Sequence, residues 1–244
     1  MLISSRQNEK IKNIKSLSDK NRRYLQGVYV AEGLKTVREA IFNNMPIKTL
    51  VVTEARSCEF EKIFDGEILT VTDGVFDSIT GEVSPEGVMA VVEMPRVDVR
   101  KPSGKRCLLL DGIKDPGNMG TIVRTAVASG YNDLYLLDCV DPFNLKAVRA
   151  SMSGIYFVNL HIGRLEEIKS ALNGYNVICA DMDGEDVFSF EKKEKFCLVV
   201  GSEANGIRKE VYDFSDYTVK IPMEKNMESL NAGVSASILM YLLK

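Results

Sequence analysis

Ile221-Pro222-Met223-Glu224-Lys225-Asn226-Met227-Glu228-Ser229-Leu230-Asn231-Ala232-Gly233-Val234-Ser235-Ala236-Ser237-Ile238 runs from a strand end through a polar loop into a helix of small residues. The proline ends the strand's hydrogen-bond ladder, and the loop delivers Ser229 and Asn231 to the start of an apolar run. Leu230, Val234, Ile238, Tyr241 and Leu242 recur at helical spacing and predict the buried stripe of that helix. A helix N-terminus offers unpaired backbone N–H groups, so polar side chains gathered there have the look of a binding site. Ser229 read alone is simply an ordinary N-cap. Two further polar stretches upstream weigh against that simpler reading.

Working outward, 244 residues at 45% hydrophobic and 27% charged are enough for a sizeable core in one large domain or two modest ones. No apolar run approaches membrane-spanning length and the N-terminus has no apolar leader, so a cytoplasmic protein without membrane contact is expected. Cys58, Cys107, Cys139, Cys179 and Cys197 form no CxxC pair and read as reduced. His161 is the only histidine, in an apolar strand-like setting, which argues against a histidine-based metal site or a Ser-His-Asp triad. Net charge is only −3, yet Arg6, Lys10, Lys12, Lys15, Lys20, Arg22 and Arg23 face only Glu9 and Asp19 in the first 23 residues. Such a segment is either a polyanion contact or a solvated helix face.

In chain order, residues 8–24 predict a helix, followed by a strand at 28–31, a helix at 34–43, strands at 47–52 and 67–71, a short helix at 73–79 and a strand at 87–92. This α/β unit is expected to end near residue 93. Residues 94–105, rich in proline and charge, read as a linker. Apolar strands then alternate with helices over 106–244: strands at 106–110, 133–137, 156–160, 175–180, 197–200 and 218–221, helices at 118–129, 144–151 and 165–172, and the terminal helix. Continuous apolar strands of this kind predict a parallel sheet covered on both faces.

Two of those strands open into polar loops. Asp111-Gly112-Ile113-Lys114-Asp115-Pro116-Gly117-Asn118-Met119-Gly120 leads into a helix with Asn118 as its expected N-cap, and Met119, Ile122, Val123, Ala126 and Val127 form the buried stripe. Arg124 falls off that stripe and can point back toward the loop, or sit as a surface or ion-paired arginine. Leu198-Val199-Val200-Gly201-Ser202-Glu203-Ala204-Asn205-Gly206 places a carboxylate at a strand end, with Gly201 leaving room for a ligand to approach the backbone. Neither loop carries a GxGxxG or GxxxxGK[ST] fingerprint, which argues against a doubly wound nucleotide enzyme.

Asn118-x-Gly120-x-x-x-Arg124-Thr125-Ala126, Val199-Val200-Gly201-Ser202-Glu203-x-x-Gly206-Ile207 and Ile221-Pro222-Met223 through Ser229-Leu230-Asn231 resemble, in order, the three motifs of the SpoU/TrmH family of RNA ribose 2′-O-methyltransferases, within the SPOUT superfamily. Val30-Ala31-Glu32-Gly33 and Ser84-Pro85-Glu86-Gly87-Val88-Met89-Ala90-Val91 resemble that family's N-terminal, ribosomal-protein-like substrate-binding domain. The resemblance implies a catalytic domain whose C-terminal segment forms a deep trefoil knot, and a homodimer with its active site near the subunit interface. It implies S-adenosylmethionine as methyl donor and no metal. Arg124, Asn118, Glu203, Ser229 and Asn231 would form the polar catalytic cluster, while Gly201, Ile221, Leu230, Met223 and Leu137 would line the cofactor pocket. Arg124 is cast as general base, or as the group that binds the substrate phosphate while another acceptor takes the proton. Arg6, Lys10, Arg22 and Arg23 are the expected RNA contacts. Ribosomal RNA is favoured over transfer RNA because a separate N-terminal domain is present. The alternatives are a transfer-RNA enzyme and a non-catalytic RNA-binding assembly factor on the same fold.

Overall fold

The computed structural model describes residues 2–226 and 229–244, so Met227 and Glu228 of the last polar loop lie outside the described residues. The chain forms two compact units, one of residues 1–95 with 141–156, the other of 96–140 with 157–244. No helix is long and apolar enough to cross a membrane among the described residues.

In the first unit, strands β1 (Val28–Glu32), β2 (Ile47–Thr53), β3 (Glu67–Val71) and β4 (Val88–Glu93) lie in the order β1-β4-β2-β3, with only β2 and β3 parallel. The basic N-terminal segment is two helices, α1 (Glu9–Ser16) and α2 (Lys20–Gln26), rather than one. Asn8 and Asp19 each cap a helix start with their own side chain, so two separate starts are written into the segment. Ile11, Ile14 and Leu17 join Val51, Leu69, Val71 and Met89 in this unit's core. The two family-like stretches meet at helix α3 (Leu34–Phe42), where Glu86 Oε2 accepts from the Leu34 N–H at 2.7 Å.

Residues 141–156 belong to this unit although their alternating pattern placed them with the later sheet. Asp141 and the helix Leu145–Ala150 explain the difference. Arg23 is only 3% exposed; its Nε donates to Asp141 Oδ2 at 3.1 Å and its Nη1 to the carbonyls of Leu17 and Ser18 at 2.7 and 2.8 Å. Tyr24 and Tyr29 pack on Phe143, and Arg149 pairs with Glu82. A helical stripe reports that a face is buried, not which sheet buries it.

The second unit is built on a six-stranded sheet in which every pairing is parallel. Its order is β10-β8-β9-β5-β6-β7, from β5 (Arg106–Asp111), β6 (Asp133–Leu137), β7 (Asn159–Ile162), β8 (Asn176–Asp186), β9 (Phe196–Gly201) and β10 (Tyr217–Lys220). Cys107, Leu109, Cys197 and Val199 face a cluster with Ile168, Leu172, Ile207 and Val211. Leu108, Leu110, Leu198 and Val200 alternate to the other face, and the helix Ala232–Leu242 contacts β9 and packs against the helix Pro116–Ser129. Residues 96–104, read as linker, are bound to this sheet: Ser103 Oγ donates to buried Asp133 at 2.6 Å, Tyr135 Oη to the Arg100 carbonyl at 2.6 Å, and Ile162 N–H to the Val97 carbonyl at 2.7 Å. His161 is a buried structural residue within the same network, with Nε2 2.9 Å from Asp133 Oδ1.

Candidate active site at the strand ends

The site is assembled where β9 and β5 stop. Helix 116–129 begins at Pro116, capped by Asp115, whose Oδ1 accepts from the Asn118 N–H at 2.8 Å. Asn118, expected as the cap, is instead in the first turn with its side chain released for other work. Its Nδ2 donates to Glu203 Oε1, and its Oδ1 accepts from Asn231 Nδ2 at 2.9 Å. Asn231, not Ser229, is the N-cap of helix 232–242, accepting from the Val234 N–H at 3.2 Å. Glu203 Oε1 also accepts from the Ala232 N–H at 3.4 Å. One carboxylate thus gathers both helix starts, and its negative charge suits the positive end of the terminal helix.

Two backbone constraints hold Glu203 there. A Cβ at Gly201 would lie 2.3 Å from the Gly206 carbonyl carbon, so the space that glycine keeps open is filled by the returning loop, not reserved for a ligand. Ser202 and Gly206 exchange backbone hydrogen bonds across that loop at 3.2 and 2.9 Å. Arg208 then anchors the loop's exit: its N–H and Nε donate to Asp111 at 2.8 and 2.7 Å, and Nη1 donates to Asp138 at 2.8 Å. Burial alone would lower the Arg208 pKa; Asp138 and Asp111 outweigh it and raise it. Asp111 and Arg208 went unread in the sequence, where an aspartate ending β5 was the only available signal.

A cavity of about 220 Å³ opens beside this cluster. Gly201, Glu203, Ile221, Met223, Ser229 and Leu230 line it. Leu137 does not: it is 4% exposed inside the core cluster on β6, two strands away from β9. Ala180, Asp181 and Met182, absent from the sequence expectation, form a further wall. Apolar Val219, Ile221, Leu230 and Leu239 beside the acidic Asp181 and Glu203 suit a ligand that combines a flat apolar part with a positive charge.

Arg124 stands apart from this network. It is exposed and makes no hydrogen bond or ion pair among the described residues. The terminal helix also turns differently from its predicted stripe: Ala232, Gly233, Ala236, Leu239 and Met240 are buried, while Val234 and Tyr241 are 45% and 53% exposed. Its thin face receives helix 116–129 of the same chain, with Thr125 and Ser237 hydroxyls 3.0 Å apart and a Gly233 Cβ position 3.2 Å from Asn118 Oδ1. Among the expected RNA contacts, Arg23 is sequestered by Asp141, which corrects that expectation. Lys10 pairs with Glu67, Arg6 Nε donates to the Gly74 carbonyl at 3.0 Å, and the Arg22 side chain is exposed.

A 23S rRNA (guanosine(2553)-2′-O)-methyltransferase of Bacillus subtilis is 28% identical over 246 residues, covering 99% of this chain and 98% of its own length. A 23S rRNA (uridine(2479)-2′-O)-methyltransferase of Streptomyces viridochromogenes is 27% identical, covering 92% of this chain and 85% of its own. The crystal structure of an AdoMet-bound rRNA methyltransferase from Sinorhizobium meliloti superposes with a TM-score of 0.91 at 27% identity, over 100% of this chain and 97% of that one. An MRM3-like substrate binding domain matches residues 8–90. Residues 105–241, more than half of the chain, match the SpoU rRNA Methylase family, and the chain belongs to it.

Proposed function

We propose that this protein transfers the methyl group of S-adenosylmethionine to a ribose 2′-hydroxyl of ribosomal RNA. The observation that carries the reading is the cluster Asn118–Glu203–Asn231 at two helix starts, beside a cavity that is apolar on one side and acidic on the other. S-adenosylmethionine, when bound, supplies a methyl group activated on a cationic sulfur. Glu203 would favour that cation, and Val219, Ile221, Leu230 and Leu239 would take the flat base. The Asn118 amide and the Ala232 N–H fix the Glu203 carboxylate, and Asn231 in turn holds Asn118, so the site is organised before substrate arrives. Ribosomal RNA is favoured over transfer RNA because relatives named as 23S rRNA enzymes match across both units, not the second alone.

The remaining features belong to the same reading. Residues 106–244, apart from the segment 141–156 that belongs to the first unit, form the knotted catalytic domain of the family, and residues 1–93 its ribosomal-protein-like RNA-binding domain, working in the cytoplasm where ribosomal RNA is found. The protein acts as a homodimer. Support comes from exposed Val234 and Tyr241 with half-buried Ile238 between them, on the helix that packs against the one bearing Arg124. A second copy covering that stripe brings Arg124 under its surface, where the guanidinium holds a substrate phosphate or the reacting hydroxyl at a shared site. Exposed Arg22 and its lysine neighbours meet the RNA backbone.

Mapping of 2′-O-methylated nucleotides in ribosomal RNA from cells with and without the gene tests the reading. One ribose methylation is expected to disappear on deletion and to return with the wild-type gene. An unchanged ribosomal map together with a lost methylation in transfer RNA would overturn the substrate assignment.

A further inference from the structure

Strand β8 pairs with β10 in two separate places: Tyr217 and Thr218 lie opposite Ile178 and Cys179, then Val219 and Lys220 opposite Glu185 and Asp186. A single step along β10 therefore spans residues 180–184 of β8, which leave the ladder as a bulge. Bulges re-aim side chains at the edges of sites. Gly184 closes this one, since a Cβ there would lie 2.6 Å from the backbone N and C of Val219. Ala180, Asp181 and Met182 on the bulge form one wall of the cavity.

Asp181 is the polar group of that wall, and its carboxylate is held from two sides. Tyr212 Oη donates to Oδ2, and the Asp183 N–H donates to Oδ1 at 3.0 Å. Neither bond supplies a compensating cation, and no lysine or arginine pairs with Asp181 among the described residues. Each oxygen keeps acceptor capacity for a ligand. β8 pairs with β9 only as far as Cys179 and Val199, so Asp181 and Glu203 both lie just beyond the end of a shared ladder whose strands are about 5 Å apart. With sulfur at the Glu203 cluster, the part of the cofactor one strand spacing away that carries paired donors is its ribose, joined to sulfur through one carbon.

We propose that Asp181 is a specificity-determining residue of this pocket, accepting hydrogen bonds from the ribose hydroxyls of the cofactor, with Tyr212 as the residue that positions it. The inference rests on the pocket being the S-adenosylmethionine site. A carboxylate matches a vicinal diol because two acceptor oxygens face two donors, the same chemistry by which an acidic side chain reads ribose in dinucleotide sites.

Calorimetric titration of the full-length protein with S-adenosylhomocysteine and its 2′,3′-dideoxy analogue tests this. S-adenosylhomocysteine lacks the sulfonium charge, so general attraction to a cation does not enter. Asp181→Asn is expected to weaken S-adenosylhomocysteine binding about 10- to 100-fold while changing binding of the dideoxy analogue less than about 2-fold. Tyr212→Phe is expected to show the same pattern at about 3- to 5-fold. Equal losses for both ligands, or no loss for either, would overturn the role of Asp181 and leave the pocket assignment intact. Wild-type protein that binds neither S-adenosylhomocysteine nor S-adenosylmethionine would overturn both.

Discussion

The polar strand ends of the second unit and the basic helices of the first were equally conspicuous in the sequence, and the structure treats them differently. Asn118, Glu203 and Asn231 come together within hydrogen-bonding distance from three separate segments. The basic residues do not act as one surface: Arg23 is buried on Asp141, Lys10 pairs with Glu67, Arg6 reaches a carbonyl, and Arg22 remains exposed. The difference is physical. A polar residue at the end of an apolar strand is placed by the strand, whose position the core fixes, whereas a charge on an amphipathic helix is satisfied by whichever partner the fold supplies.

Breaking the Arg23–Asp141 pair gives the largest expected effect. Arg23→Ala leaves Asp141 buried without its cation and should cost about 3–5 kcal/mol in chemical denaturation, with little change in RNA affinity of the folded fraction. A large loss of affinity with unchanged stability would restore Arg23 as an RNA contact. Asn118→Ala should do the reverse, lowering turnover about 100-fold while leaving the melting temperature within a few degrees, since Asn118 bonds only exposed partners.

Asp133 gives a smaller, pH-dependent effect. Burial alone would raise its pKa, but hydrogen bonds from His161, Ser103 and Asn159 outweigh it and hold the carboxyl at about 2, below its usual value of 3.8. A depressed carboxyl contributes stability that is complete above the unfolded value and drains as pH falls through the folded one. Stability should therefore drop by about 2 kcal/mol between roughly pH 5 and pH 2 through this group. In Asp133→Asn that part of the acid slope should be missing when unfolding is followed by circular dichroism. The smallest effect is expected at Arg22: Arg22→Ala should reduce the salt slope of RNA binding by about 1 and affinity a few-fold, and an unaltered slope would remove α2 from the RNA surface.

Legibility in the sequence follows the same division. The strands at 106–110, 133–137 and 197–200 were readable because both faces are buried and the apolar run is unbroken. The strand expected at 156–160 starts instead at Asn159, after a 3₁₀ turn at Gly154–Tyr156 entered through Met152 and Ser153 at positive φ. Helices Glu54–Phe60 and Lys209–Tyr212 escaped notice because each buries a single residue and so carries no stripe. β8 was read only to Ala180; the acidic Asp181, Asp183, Glu185 and Asp186 look like a loop, and their return to the sheet depends on Gly184 meeting β10. The three motif stretches meet at one candidate site, but whether Arg124 joins it is decided by packing beyond any one chain segment.

The most direct test of the central claim is transfer of labelled methyl from S-adenosylmethionine to purified ribosomal and transfer RNA, with Arg124→Ala protein alongside and nuclease mapping of the product. The account predicts label in ribosomal RNA at one alkali-resistant ribose, lost at least about 100-fold in Arg124→Ala although cofactor still binds. Label confined to transfer RNA, or undiminished transfer by Arg124→Ala, would contradict it.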